Sequence, residues 1–320
     1  MKNEAIFSPH GRNYPRSIKE FDEWFVTERD CIEYLAHIRW PDGFRCPMCG
    51  EAKSCRTGRG TFKCNACQRQ TSPTAGTIFQ GTRKPLRMWF QAMWYVTNSK
   101  RGLSALELQR IMGLGSYQTA WSWLHKMRRA MVRPGMDKLT GVVEVDETYV
   151  GGTEHGVIGR ETEKKSLVAI AAEVRGKAIG RIRMHRIPDI SSESLVYFVK
   201  NVVDEGSVVR TDGLTNYRKI SEHGYIHHPT VISASGIPAH LVLPRTHRVA
   251  SLLGRWCLGT HQGAIRDAHL DYYLDEFTFR FNRRSSKSIG LLFFRLIEQS
   301  VKTSSSPYKS LVGGKRHYTI

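Results

Sequence analysis

Gly141-Val-Val-Glu-Val-Asp-Glu-Thr-Tyr-Val-Gly-Gly152 is the stretch on which the fold turns. Val143 and Val145 lie in a run of β-branched residues that reads as a buried strand, closed sharply by the paired glycines. Asp146 follows directly. A buried strand has no structural use for an unpaired carboxylate, because the charge costs several kcal/mol or is neutralised. Asp146 is therefore either a strand-end carboxylate hydrogen-bonded to a turn, or a metal ligand at the point where the strand emerges.

Downstream the period stays strand-like. Strands are expected at Gly141–Val150, 166–174 and 178–185, with Gly176 turning the chain between the last two. Residues 191–203 read as a helix with Leu195, Phe198, Val199 and Val202 inward. Ser207-Val-Val-Arg-Thr-Asp212-Gly213 reads as a fourth strand, ending in a second Asp followed by glycine. A helix over 214–223 and a short strand over 225–230 complete an α/β order β-β-β-α-β-α-β. The two carboxylates would meet at one sheet edge. Folding does not require that pairing, whereas a two-metal site does.

Two helices follow. Residues 246–259 are amphipathic, with His247, Arg248, Ser251 and Arg255 on the polar side. Residues 270–284 carry Glu276, Arg280 and Arg283 on one face, which reads by itself as a surface salt-bridge ladder.

Upstream, Phe44-Arg-Cys46-Pro-Met-Cys49 and Phe62-Lys-Cys64-Asn-Ala-Cys67 are two Cys-x-x-Cys knuckles separated by 14 residues. Thiolates three positions apart on a tight turn occupy neighbouring corners of a tetrahedron, so the four predict a structural zinc ribbon. Cys55 is off the spacing. Ahead of the ribbon, Ser17-Ile-Lys-Glu20 resembles a capping box, and a second helix is expected over 27–38. Behind it, Leu86, Trp89, Phe90, Met93, Trp94 and Val96 form the core stripe of a helix whose first turn holds Pro85. Residues 103–111, the turn Gly113-Leu-Gly115-Ser116 and residues 117–132 have a helix-turn-helix outline. Gln118, Thr119, Lys126, Arg128 and Arg129 on its second helix are candidate DNA contacts, and Pro134-Gly135 stops it. The same outline fits an ordinary helical hairpin.

The expected organisation is an arm with short helices (1–43), a zinc ribbon (44–72), a helical DNA-binding region (83–134), a catalytic domain (140–298) and a disordered tail (299–320). Hydrophobic content of 40% with 24% charged residues is that of a soluble globular chain. The net charge of +19 is not ordinary, and its commonest physical use is to meet phosphates. No apolar run approaches membrane-span or signal-peptide length, which predicts a cytoplasmic, nucleoid-associated protein.

Together, the ribbon, the helix-turn-helix, Glu144-Val-Asp146-Glu-Thr-Tyr-Val-Gly-Gly152, Thr211-Asp212-Gly213 and Tyr273-Leu-Asp-Glu-Phe-Thr-Phe-Arg-Phe-Asn-Arg-Arg284 resemble the ISXO-type insertion-sequence transposases. These are DDE transposases of bacteria and archaea with an RNase H-like catalytic domain. The resemblance implies Asp146 and Asp212 as the first two members of a catalytic triad that holds Mg²⁺ or Mn²⁺. It also implies binding of double-stranded DNA at terminal inverted repeats and at the target, by a dimer or higher oligomer. At the third acidic position this chain carries His247, and Gly254 stands where the family's lysine would be, with Arg255 turned about 100° away. The alternative third ligands are Asp275 and Glu276. Glu144 shares a strand face with Asp146 and is expected to support it from behind, as are Glu276, Arg280 and Arg283. A DNA-binding regulator with an inactive sheet domain is the other reading.

Overall fold

The computed structural model describes residues 12–132, 137–151, 165–230, 239–263 and 265–314. Residues 1–11 of the expected arm, Pro134-Gly135, Gly152 and residues 315–320 of the expected tail lie outside these. The chain divides into two compact units, between the helical region and the first long strand and again at Arg284/Ser285.

The first unit opens with α1 (Ile18–Trp24) and α2 (Glu28–Arg39). Ser17 caps α1 by accepting the Glu20 amide at 3.2 Å, but the reciprocal bond is not made: the Glu20 carboxylate takes the Arg16 amide instead. The complete capping box sits on α2, where Thr27 and Asp30 exchange both bonds. Three short antiparallel strands, β1 (Ser54–Arg56), β2 (Phe62–Cys64) and β3 (Gln70–Thr71), form the ribbon. In α3 (Leu86–Asn98) Pro85 is the capping residue rather than a first-turn residue. Its ring carries no hydrogen-bonding group, so the Leu86 and Arg87 amides are left to the carboxylate of Glu28. The six predicted stripe residues of α3 are all buried. Next come α4 (Ala105–Met112), closed by Gly113 at φ 60°, and α5 (Tyr117–Ala130).

The second unit is a five-stranded sheet. Its strands are β4 (Val142–Val150), β5 (Ser166–Arg175), β6 (Ala178–Arg186), β7 (Val208–Asp212) and β8 (Ile226–Thr230), in the spatial order β6-β5-β4-β7-β8. β4, β7 and β8 run parallel, and β5 and β6 are antiparallel to their neighbours. The chain order matches the expectation, except that the second helix is a 3₁₀ helix, Thr215–His223. On one face Val143, Val145 and Val209 pack against α6 (Ser192–Val202) and the 3₁₀ helix. On the other, Val168, Ile170, Ile182 and Met184 pack against α7 (Pro244–His261) and α8 (Leu270–Asn282). Glu144 and Asp146 alternate with the valines and so share the α7 face.

Asp146 is not at a strand end. β4 runs on to Val150, and Asp146 sits opposite Ile170 of β5. What ends near it is the parallel pairing with β7, which stops at Glu144 opposite Arg210. The two strands part there, and Asp146 and Asp212 lie on either side of the opening. Nor is α8 a surface helix. Ten of its thirteen residues are buried, among them Glu276, whose carboxylate pairs with Arg280 at 2.7 Å.

After Arg284 the chain returns to the first unit. α9 (Ile289–Lys302) inserts Phe293 among Phe21, Phe25, Phe90 and Trp94, with ring centroids 5.5–5.9 Å away. The expected catalytic boundary at 298 therefore moves back to Arg284. The expected tail holds the end of α9 and a further helix, α10 (Tyr308–Val312), anchored by buried Leu311 and by Tyr308 against Trp121.

Candidate metal sites

The ribbon strands bring Cys46, Cys49, Cys64 and Cys67 together, with all four Sγ atoms within 4.8 Å of one another. Cys46 lies 3.5 Å from Cys67 and Cys49 lies 3.6 Å from Cys64. Zn–S bonds of about 2.3 Å at tetrahedral angles place sulfurs about 3.8 Å apart, so the cluster fits a zinc ion. Cys55, exposed on β1, takes no part. Phe44 and Phe62, one ahead of each knuckle, stack at 4.8 Å and supply the small apolar floor.

The second site is built around Asp146. Its Oδ1 accepts the Glu147 amide at 2.9 Å. Its Oδ2 faces α7, with the Thr246 hydroxyl at 3.5 Å and His247 Nε2 at 3.6 Å. Burial, reinforced by the charges of Asp212 and Glu144, outweighs the Glu147 and Thr246 hydrogen bonds and raises the Asp146 carboxyl to about 6. A half-satisfied carboxylate beside a second one is short of positive charge. Asp212 ends β7, and its Oδ1 accepts the Leu214 amide, which fixes the turn into the 3₁₀ helix. Carboxylate oxygens suit Mg²⁺ or Mn²⁺, and the imidazole, a softer donor, tilts the set toward Mn²⁺. Among the described residues, however, only the four cysteines are drawn together tightly enough to form a metal-binding cluster as they stand.

Glu144 explains why α7 arrives where it does. It is buried, and its Oε2 accepts the amides of Arg245 (2.7 Å) and Thr246 (3.3 Å), two of the amide donors left over at the start of α7. Its Oε1 pairs with the Arg245 guanidinium at 2.7 Å, which also donates to the carbonyls of Gly176 and Ala178 in the β5–β6 turn. Glu144 thus anchors the first turn of α7, and that turn carries Thr246 and His247 to Asp146. Sequence reasoning missed Arg245 and Thr246. The available signal was Leu243-Pro244, a proline opening a helix whose first turn contains no acid of its own. Glu147 turns the other way and accepts the buried Tyr217 hydroxyl at 2.7 Å.

Other predicted residues fall elsewhere. Glu276 and Arg280 pair within α8, and Arg283 lies 4.0 Å over the Phe279 ring. No contact joins any of these three to Asp146 among the described residues. Asp275 is buried, and burial with the charge of Asp271 raises its carboxyl well above the usual range. Gly254 and Arg255 are exposed, and a Cβ on Gly254 would meet nothing within 4 Å. On α5, Gln118 is exposed and Thr119 half-buried, but Arg128 is 2% exposed and cannot offer an edge to DNA. Arg129 donates to Ser304, and Lys126 lies 5.9 Å over Trp89.

Residues 138–282 match the ISXO2-like transposase domain, and residues 26–70 match the transposase zinc-ribbon domain. The chain thus carries an ISXO2-like transposase domain and a transposase zinc-ribbon domain. The first match begins one residue before Leu139, which bridges to Val203, and ends with α8, so it coincides with the sheet unit. An uncharacterized protein in transposable element ISH50 of Halobacterium salinarum is 28% identical over 280 residues, covering 80% of this chain and 91% of that protein. The zinc-ribbon match takes in both α2 and the ribbon in one stretch. Among its described residues, no helix is long and apolar enough to cross a membrane.

Proposed function

We propose that the chain is an insertion-sequence transposase that binds terminal inverted repeats through its ribbon-bearing helical unit and cleaves and joins DNA strands at Asp146, Asp212 and His247. The observation that carries this reading is Asp146 itself: a buried carboxylate raised to about 6, beside a second acid, with His247 Nε2 held 3.6 Å away by a helix that Glu144 anchors. Strand order β6-β5-β4-β7-β8, with the acids on the central parallel pair, supports an RNase H-like catalytic unit. The chain's charge of +19 supports a polyanionic substrate.

Asp146, Asp212 and His247 would hold Mg²⁺ or Mn²⁺. When bound, the metal supplies an activated attacking oxygen and neutralises the charge on the leaving one. The protein's own part is preorganisation. Glu144 and Arg245 fix the first turn of α7, Thr246 hydrogen-bonds Asp146, and the Asp212 turn is locked by the Leu214 amide. His247 offers a softer nitrogen donor than a carboxylate, which favours tolerance of Mn²⁺. The four cysteines would hold structural zinc, and the active assembly on paired ends would be a dimer or higher oligomer in the cytoplasm. Exposed Gln118 and half-buried Thr119 are the helix-turn-helix residues retained as DNA contacts.

Asp146→Asn and Asp212→Asn should each abolish Mg²⁺-dependent nicking of a plasmid carrying the DNA that flanks the gene, with binding of that DNA retained. Undiminished nicking by either variant would defeat the assignment, whereas a wild-type chain that binds but never nicks would favour the regulator.

A further inference from the structure

The opening between β4 and β7 carries a second chemical feature, one row below the two aspartates. Arg210 lies opposite Glu144 on one side and His228 on the other, in register across three parallel strands. By strand alternation all three point to the α7 face, as do Asp146, Asp212 and Thr230 two residues on. Central-strand positions are normally covered, yet Arg210 is exposed, as is His228 on the edge strand. With His227, Pro229, Thr230 and Val242 they line a mostly polar cavity of about 490 Å³.

Arg210 is placed next to an acid and does not use it. Both Glu144 oxygens are taken by Arg245 and by the first-turn amides of α7. Among the described residues, no carboxylate comes within ion-pair distance of the Arg210 guanidinium. His227 also borders the cavity, but its Nε2 is committed to the Thr211 hydroxyl at 2.8 Å, which leaves His228, on the same strand face as Arg210, as the imidazole open to a ligand. A guanidinium fork with five donors and an adjacent imidazole are complementary to a phosphate's oxygens. Two residues of strand separate Arg210 from Asp212, roughly 7 Å, against a rise of about 3.4 Å per nucleotide along a DNA strand.

We propose that Arg210 and His228 form a phosphate seat that holds the DNA backbone one or two nucleotides from the phosphate undergoing reaction at Asp146 and Asp212. The inference rests on the transposase reading for the meaning of "reacting phosphate", but the seat itself is a binding site. Arg210 is a positioning residue: it fixes the strand's register and leaves the reacting atoms untouched.

The test uses the full-length protein with duplexes carrying the DNA that flanks the gene, in Ca²⁺ for binding and Mg²⁺ for cleavage. Arg210→Gln should weaken binding about 3- to 10-fold and lower the slope of log affinity against log salt by about one, while Arg210→Lys keeps most of that slope. KM should rise with kcat little changed, and thermal stability should not move, since the side chain is exposed. Neutral methylphosphonates placed singly near the cleavage point should show one position that weakens the wild type and leaves Arg210→Gln indifferent. His228→Gln should weaken the same position less. Equal salt slopes and equal phosphonate profiles for wild type and Arg210→Gln would overturn the seat alone. A wild type that binds but does not cleave would overturn the catalytic reading and still test the seat by binding. A wild type that binds no duplex would overturn both.

Discussion

Replacing Asp146 by Asn should make the metal-free protein more stable at neutral pH. In the folded chain the Asp146 carboxyl titrates near 6, chiefly through burial and then through the charge of Asp212, against an ordinary value of 3.8. Between these two pH values the unfolded chain has lost its proton and the folded chain keeps it. Stability therefore falls as pH rises from about 4 to about 6, and the full penalty, on the order of 3 kcal/mol, stands at pH 7. Asn keeps the shape and removes the charge. Its advantage over the wild type should be near zero at pH 4, grow across the window and level off above pH 6.5 or so. For a unit of this size the plateau corresponds to roughly 6–12 °C in Tm as an upper bound, because Asn brings two N–H donors of its own. Mg²⁺ should reverse the order, raising the Tm of the wild type and leaving the variant unmoved. The assay is thermal unfolding followed by circular dichroism across that pH range, with zinc retained and Mg²⁺ absent or in excess. An Asn variant no more stable than wild type at pH 7, or equally ahead at pH 4 and pH 7, would refute the account of Asp146 as a carboxylate short of a cation.

Other outcomes follow from the same geometry. Cys64→Ser should reduce bound zinc, measured by elemental analysis, from one per chain to none, and should make residues 44–71 sensitive to protease. Glu144→Gln removes the charge that half-buried Arg245 pairs with, and should cost roughly 1–3 kcal/mol in denaturant unfolding, with loss of cleavage exceeding the loss of DNA binding. Gly254→Ala, at an exposed position in α7 with open space around it, should stabilise by about 1 kcal/mol. Gly254→Lys at the same site asks whether the family's lysine raises the cleavage rate. Arg128→Ala should lower stability by more than about 1 kcal/mol and Gln118→Ala should leave it unchanged while weakening DNA binding; equal stability effects would contradict the burial of Arg128.

The sheet was legible because its code is local. Val143, Val145 and Val209 alternate with Glu144, Asp146 and Arg210, and that period alone places the acids on one face. The knuckle spacing was legible for the same reason. What was hidden depends on distant chain segments. Asp146 reads as a strand end because its neighbour β7 is more than sixty residues away in sequence, and only the parting of β4 from β7 makes its position terminal. The Glu276–Arg280–Arg283 face reads as a surface salt-bridge ladder because the helix's own sequence does not reveal that ten of its thirteen residues, Glu276 among them, are buried. Arg128 and Arg129 read as a DNA face because α9 and α10, which enclose α5, come more than 150 residues later. Of the Asp146 site, the acids and His247 were in the motif. The Glu144–Arg245 anchor was not, because a carboxylate capping a helix 101 residues on leaves no local pattern.

The return of α9 makes the sheet unit an insert within the helical one. Phe90 and Phe293 meet across about 200 intervening residues, a closure worth roughly 5 kcal/mol in chain entropy if all of them were unfolded. A folded sheet shortens that loop to the distance between its own two ends. The helical core thus cannot be completed by any fragment that stops at Arg284, however intact its ribbon and its first five helices. Phe293 is synthesised after every strand of the sheet, so the gap among Phe21, Phe25 and Trp94 is among the last parts of the molecule to be filled. Prematurely terminated chains would lack the finished helical unit altogether, so they would be poor competitors for whatever DNA the complete protein binds.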